Sequence, residues 1–302
     1  MRWLTTGLLG TIGLIGVSTS VAAQNPSPLE TIRALGLDSA DVGGIRVRYV
    51  PSDHEHALQL AALCEQVVSY FKGEFGTSFS PQLAVLRPEH WFVPYAGGEG
   101  EPYGIPWGWI PELLIAVPAS LDQGVLINGS DRMTDLRRVR FVMLHEFGHL
   151  ASKQLLHPSS GQPYSSVRWF DELIATYFAY AFVRASDPDW AGTAQNEWQG
   201  VVDGFTPPIV SLDWSHLRDL SPVEFARTYA WYQNLLNLHA AALYEEHGLD
   251  LLRSLRDRLD WQNAASWTTE GLIPILDDIA PGFGAWVSAL EGGEVTGHRP
   301  EL

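Results

Sequence analysis

The feature that most constrains this chain is a pair of histidines four residues apart in an apolar stretch, His145-Glu146-Phe147-Gly148-His149. Residues four apart on an α-helix lie on one face, so a helix here points both imidazoles in the same direction. The apolar residues around the motif predict a largely buried helix over about 134–156. Polar side chains in such a helix are costly without partners, and a metal ion supplies one. His145 and His149 are therefore the expected metal ligands.

Glu146 follows the first histidine but lies on another side of the helix. There it is suited to act on a water beside the metal rather than to ligate the metal itself. Two imidazoles fit two corners of a tetrahedral zinc site, and zinc lowers the pKa of a bound water to about 7. The motif thus predicts one Zn²⁺ per chain, with Glu146 as general base. The simpler alternative is a chance match, with core histidines bonded to backbone.

A third protein ligand is expected from a second apolar helix, predicted over 169–185. Its start carries two acidic residues, Asp171 and Glu172, about 22 residues past His149. A short connection lets this helix run antiparallel to the first and face the metal. Either carboxylate can complete the site. Both can instead be N-terminal charges that interact favourably with the helix dipole.

The two motifs together, His-Glu-Phe-Gly-His and Trp-Phe-Asp-Glu-Leu-Ile-Ala-Thr-Tyr, resemble those of the gluzincin metallopeptidases, the thermolysin- and aminopeptidase-like group. The match covers about 145–177, and its inter-motif gap is a few residues longer than in the best-known members. The resemblance implies that His145, His149 and Glu172 are the zinc ligands and that Glu146 is the general base. The aminopeptidase signature Gly-x-Met-Glu-Asn is absent, so trimming of free N-termini is not expected.

The same family places an oxyanion-stabilising Tyr or His on a later helix. The resemblance points to Tyr232 for this role, with Tyr229 as the alternative, and an aromatic core stripe explains both equally well. By analogy, strand 113–117 is the edge strand that binds the substrate. Residues 89–111 before this strand are interpreted as a long loop rich in Gly, Pro and aromatic residues, called here the aromatic loop. Its Trp107 and Trp109 line the pocket in this interpretation, although ordinary packing also explains them.

Other candidate site residues are weaker. His54 and His56 are expected to be solvated at a helix start, and His239 and His247 to be hydrogen-bonded histidines rather than ligands. Cys64, the single cysteine, lies in an apolar run and is expected to be a buried, inert thiol.

The expected fold class is α+β, in two lobes. Residues 24–133 form a mixed lobe with a small sheet and an edge strand, and residues 134–302 a mainly helical lobe carrying the zinc site. The site is expected in the cleft between them. Residues 25–28 are interpreted as a flexible lead-in. The remaining predicted strands and helices are 44–51, 55–72, 82–86, 222–247, 249–259, 269–279 and 282–291.

Residues 1–23 resemble a secretory signal peptide, with Arg2, an apolar run and small residues before a cut after Ala23. A secreted or periplasmic protein is therefore expected, with no stable membrane insertion after cleavage. An uncleaved anchor is the alternative. The formal net charge of −16 disfavours nucleic acid as a partner.

The expected function is zinc-dependent hydrolysis of peptide bonds in a peptide or protein substrate, by water with a glutamate base. Two alternatives stay open. One is a non-catalytic zinc-containing binding protein on a metallopeptidase fold, and the other is a hydrolase of a non-peptide amide.

Overall fold

The computed structural model shows a mixed α and β architecture, which confirms the α+β prediction at this level. The segments it describes are 26–91, 106–119, 125–127, 131–133, 135–157, 165–212, 217 and 219–291. The predicted signal peptide and residues 92–105 of the aromatic loop lie outside them. Among the described residues, no helix combines the length and the apolar character needed to span a bilayer.

Five strands form the main sheet in the spatial order β1-β2-β3-β5-β4. They are β1 (Asp38–Val42), β2 (Ile45–Tyr49), β3 (Gln82–Leu86), β4 (Trp107–Trp109) and β5 (Leu114–Pro118). The β2-β3 and β3-β5 pairs are parallel, while β1-β2 and β4-β5 are antiparallel. A second small sheet pairs β6 (Val125–Ile127) with β7 (Asp131–Met133).

The prediction that strand 113–117 is the edge strand is wrong. The corresponding strand β5 lies between β3 and β4, and all five of its residues are buried. Trp107–Trp109, expected in a loop, pairs antiparallel with β5 and forms the sheet edge instead. An entirely apolar strand such as Leu114–Pro118 is typical of a strand covered on both sides.

Helices account for most of the remaining chain. They are α1 (Pro28–Ala34), α2 (His54–Phe75), α3 (Leu136–Leu155), α4 (Arg168–Ser186), α5 (Pro188–Asp203), α6 (Pro222–His247), α7 (Asp250–Arg258), α8 (Thr269–Ile279) and α9 (Phe283–Glu291). The predicted helices are confirmed within about two or three residues, the usual uncertainty of helix ends.

Two helices, α1 and α5, were not predicted. Pro28 was assigned to a flexible lead-in but is the first residue of α1. Ser27 and Glu30 form a capping box around it, and Pro is well tolerated at this first helical position. Helix α5 begins in the same way, with the Asp187 side chain accepting a hydrogen bond from the Trp190 amide. In both cases a polar capping residue followed directly by proline starts a helix rather than a loop.

Helix α4 is the central element of the helical part. It packs against α3, α5 and α6, and fourteen of its residues from Trp169 to Val183 are buried. Gly148 allows α3 to approach it closely, because a Cβ there would lie 2.1 Å from the Ala175 carbonyl oxygen. This close contact brings the histidine face of α3 against the start of α4.

Candidate metal centre

Two helices bring together the three predicted ligands. His145 and His149 lie one turn apart on α3, and Glu172 lies in the first half of α4. The Glu172 Oε2 atom is 2.9 Å from His145 Nε2 and 3.6 Å from His149 Nε2. One ligand atom from each residue lies within 4.8 Å of the others, and all three side chains are buried. The cluster can therefore hold a metal ion.

The charges around Glu172 favour its ionised form. Burial acts to raise the pKa of this carboxyl, but Arg168, His149 and hydrogen bonds from both histidines hold it well below its usual range. The Arg168 guanidinium lies 2.6 Å from the second oxygen, Oε1, as an ion pair whose alignment falls short of a hydrogen bond. A carboxylate that stays ionised is suited to ligate a cation.

The two histidines differ in their surroundings. Burial lowers the pKa of His149 to about 4, so this imidazole is held neutral. Burial also acts against the charged form of His145, but its hydrogen bond to Glu172 and the Glu172 charge outweigh that effect and raise its pKa. A neutral imidazole is the form that binds metals.

Glu146 stays outside the ligand cluster, beside the sheet edge. Its Oε2 atom accepts a hydrogen bond of 2.9 Å from the Gly108 amide of strand β4. A Cβ at position 108 would lie 3.1 Å from that oxygen, so only glycine fits without displacement. Burial, followed by the charge of Glu172, raises the pKa of Glu146 to about 7, whereas His145 and the Gly108 amide act to lower it.

A second layer of polar groups contacts His145 from behind. Its Nδ1 atom lies 3.0 Å from Thr176 Oγ1, and this hydroxyl donates a hydrogen bond of 3.1 Å to Asn237 Oδ1 on α6. No sequence pattern assigned a role to Gly108, Arg168, Thr176 or Asn237. Thr176 lies one helical turn after Glu172, which was an available signal, whereas Asn237 is 61 residues from Thr176 and had none.

Asp171, the alternative third ligand, does not belong to the cluster. Its carboxylate accepts hydrogen bonds from the Ser165 backbone amide at 3.0 and 3.3 Å. Burial raises the pKa of this carboxyl to about 7, against the lowering influence of Arg168 and Ser165. The structure therefore brings Glu172 rather than Asp171 to the two histidines.

The two tyrosines named for the oxyanion role lie on α6. The Tyr232 side chain is fully buried, and its hydroxyl accepts a hydrogen bond of 2.5 Å from the Ser211 amide and donates one of 3.2 Å to the Ile209 carbonyl. Tyr229 is partly buried and stacks on Phe225. The oxyanion role stays a prediction, and for Tyr232 it requires the hydroxyl to leave two backbone partners.

The remaining candidate residues that the structure describes include His54, His239 and Cys64. His54 is exposed, and its Nδ1 atom lies 2.8 Å from the Tyr49 hydroxyl oxygen. His239 is fully buried against Trp286, and neither ring nitrogen has a hydrogen-bond partner among the described residues, so the prediction of a hydrogen-bonded histidine is wrong there. Cys64 is buried, as expected, and burial raises its thiol pKa to about 12.

Comparison with known proteins gives no family assignment. No protein-family model matches the chain, and no curated protein matches its sequence.

Proposed function

We propose that this protein is a zinc-dependent hydrolase that cleaves peptide bonds. The observation that carries the proposal is a buried two-histidine, one-carboxylate cluster with a further carboxylate, Glu146, next to it and outside it. A site with only a structural role has no use for that second carboxylate. The sequence resemblance to gluzincin metallopeptidases supports the same function.

The donor set favours zinc. Two imidazole nitrogens and one carboxylate oxygen are a ligand set of catalytic zinc sites, which have three protein ligands and one open position. Structural zinc sites have four protein ligands. Across the described residues, the cluster contains His145, His149 and Glu172, with no fourth histidine, cysteine or acidic ligand. This count favours an open, catalytic site over a structural clamp.

Each residue then has a defined task. Zinc held by the three ligands would supply a Lewis acid that polarises a carbonyl and lowers the pKa of water. Glu146 accepts the proton of the attacking water and returns it to the leaving amine. The Gly108 amide holds Glu146 Oε2, so the other oxygen is left for the water. Arg168 keeps Glu172 ionised.

A peptide substrate is the second part of the proposal. Strand β4 is one of the two edge strands of the main sheet, and its Gly108 contacts the carboxylate of Glu146. An extended peptide that adds to a sheet edge receives main-chain hydrogen bonds along its length. We place the substrate cleft here, between the sheet part and the helical part. The predicted signal peptide suggests that the enzyme works outside the cytoplasm, in a secreted or periplasmic form.

The decisive variant is Glu146→Gln. Because a glutamine cannot take the proton, hydrolysis of a peptide library should fall by about 100-fold or more. The variant should keep about one zinc ion per chain, because residue 146 is not a ligand. Elemental analysis and mass-spectrometric detection of cleavage products measure the two quantities. Glu55→Gln, an exposed substitution on α2, is the matched control and should change neither.

Two results would overturn the proposal. Wild-type protein purified without chelator that contains no stoichiometric metal rules out the metal centre. Metal-loaded protein that cleaves no peptide rules out the peptidase, and a parallel screen of non-peptide amides then tests the remaining hydrolase alternative. Glu172→Gln provides a further check, because a weaker ligand should lower the zinc content where Glu146→Gln does not.

A further inference from the structure

A chain of buried hydrogen bonds connects His145 to helix α6. His145 Nδ1 lies 3.0 Å from Thr176 Oγ1, which donates to Asn237 Oδ1 at 3.1 Å. Thr176 has no exposed side-chain surface and Asn237 is 5% exposed. The three groups come from three different helices, α3, α4 and α6, and water does not compete for these bonds in a buried site.

The chemistry of these groups fixes the direction of each proton. A carbonyl oxygen such as Asn237 Oδ1 only accepts, and a hydroxyl has a single proton to give. Once Thr176 donates that proton to Asn237, its oxygen faces His145 as an acceptor. The Gln233 side-chain nitrogen, 3.5 Å from the same oxygen, also approaches it as a donor. His145 Nδ1 must therefore carry a hydrogen.

The position of that hydrogen determines which ring nitrogen can bind a metal. A neutral imidazole protonated on Nδ1 has its free lone pair on Nε2. Nε2 is the atom of His145 that faces Glu172, at 2.9 Å. Without an acceptor at position 237, the Thr176 hydroxyl would be free to donate to Nδ1. That bond would stabilise the opposite tautomer, with the proton on the nitrogen that faces the metal position.

We infer that Asn237 is a positioning residue of the metal centre, acting through Thr176 to hold His145 in the tautomer whose Nε2 ligates. Its purpose rests on the proposed metal-dependent function, because Nε2, which contacts Glu172 at 2.9 Å, presents a free lone pair only when a metal ion takes the place of its proton. Partners that orient ligating histidines typically change metal affinity about 10- to 100-fold when removed. Helix α6, which supplies none of the candidate ligands, thereby has a role in the metal site.

A pair of substitutions at Asn237 separates this role from packing. Asn237→Leu removes the acceptor at similar volume, and we expect zinc affinity to fall about 10- to 100-fold. Asn237→Asp keeps an acceptor at the same place, and wild-type affinity should be retained. Thr176→Val and Thr176→Ser form an equivalent pair on α4. Zinc affinity is measured by competition with a chromogenic chelator, on variants whose circular dichroism matches the wild type. Unchanged affinity in Asn237→Leu, or an equal loss in both variants at 237, overturns the inference.

A measurement on the wild type needs no variant to fold. In zinc-loaded protein, ¹⁵N NMR of the histidine side chains should show a slowly exchanging proton on His145 Nδ1 and none on Nε2. Absence of that proton, or coordination through Nδ1, overturns the inference. Zinc-loaded protein with the expected tautomer but no peptide hydrolysis overturns only the proposed function. Active enzyme whose Asn237→Leu variant binds zinc normally overturns only the role of Asn237, and protein that takes up no zinc overturns both.

Discussion

Single residues at the sheet edge determine how Glu146, the proposed general base, is held. Glu146 contacts the backbone of Gly108, a glycine between two tryptophans on β4. A backbone donor is fixed in place by the strand and cannot change rotamer, so it holds the carboxylate oxygen more rigidly than a side chain would. The absence of a Cβ at position 108 is what permits this contact.

Gly108→Ala should lower the rate of hydrolysis without removing the metal. The added methyl would lie 3.1 Å from Glu146 Oε2 and 3.3 Å from the Glu146 carbonyl oxygen, so the carboxylate must shift. Misplacement of a catalytic group by about 1 Å costs about 100-fold in rate, and a few tenths of an ångström should cost about 10-fold. The expected loss is in kcat, with zinc content unchanged. A variant with wild-type kcat would show that the contact does not position Glu146.

Packing between two elements, α3 and α4, brings the candidate metal ligands together. Each helix carries its ligands on the face turned to the other, but the distance between the helices decides whether the ligands meet. Gly148, inside the histidine motif, lies directly against the Ala175 backbone. The sequence spacing of His145 and His149 is therefore necessary but not sufficient, because Glu172 approaches them only when the helices are this close.

Gly148→Ala should destabilise the protein and weaken zinc binding together. A Cβ at this position would lie 2.1 Å from the Ala175 carbonyl oxygen, which is backbone and cannot rotate away. Overpacking of this kind costs about 1–3 kcal/mol, more than the roughly 1 kcal/mol that alanine contributes over glycine in a helix. Urea unfolding and zinc titration measure both effects.

The control for this substitution is Gly192→Ala on α5, where an added Cβ meets nothing within 4 Å. It should leave zinc binding unchanged and raise the free energy of unfolding by up to about 1 kcal/mol. Equal changes in zinc binding and in the free energy of unfolding for the two variants would contradict the assigned role of the α3-α4 contact.

At the scale of the whole molecule, two buried neutral histidines outside the metal centre make stability depend on pH. Burial lowers the pKa of His157 to about 4 and that of His239 to about 3, from an ordinary value of 6.5. His157 stacks on Trp261 and His239 on Trp286, so both rings are held in the aromatic core. The unfolded chain takes up protons below pH 6.5 that the folded protein does not.

The contribution of these two histidines to the free energy of unfolding should therefore be fully present above about pH 6.5 and fall as the pH is lowered towards 4. Glu146 and Asp171, whose pKa burial raises to about 7, act in the opposite direction over this range. Each such histidine contributes about 1.4 kcal/mol per pH unit to this decline. His239→Phe keeps a stacked ring without a titrating nitrogen. In this variant the free energy of unfolding should decline less steeply below pH 6, by up to about 1.4 kcal/mol per pH unit. Urea unfolding of metal-free protein at several pH values provides the measurement. Phe283→Leu removes an aromatic ring that contacts His239 but changes no titrating group. It should lower the free energy of unfolding at every pH and leave its slope against pH unchanged. A wild-type slope in His239→Phe would contradict the prediction.

Local sequence patterns were enough to predict most of the helices and the residue types of the candidate ligands. Hydrophobic period, caps and breakers act locally, which is why α6 and α8 have the predicted bounds. The four-residue histidine spacing is likewise local, since it depends only on helix geometry. Helices α1 and α5 also begin with local signals, a polar cap followed by proline, but they were not predicted.

Packing between distant parts of the chain determines which groups meet. Sheet order made Trp107–Trp109 the edge strand, because strand neighbours are chosen by packing over long sequence separations and not by strand composition. Long-range packing likewise brings Glu172 rather than Asp171 to the two histidines. It also places Gly108 against Glu146 and Asn237 behind His145. Each depends on the distance and rotation between separate elements, which no short stretch of sequence encodes.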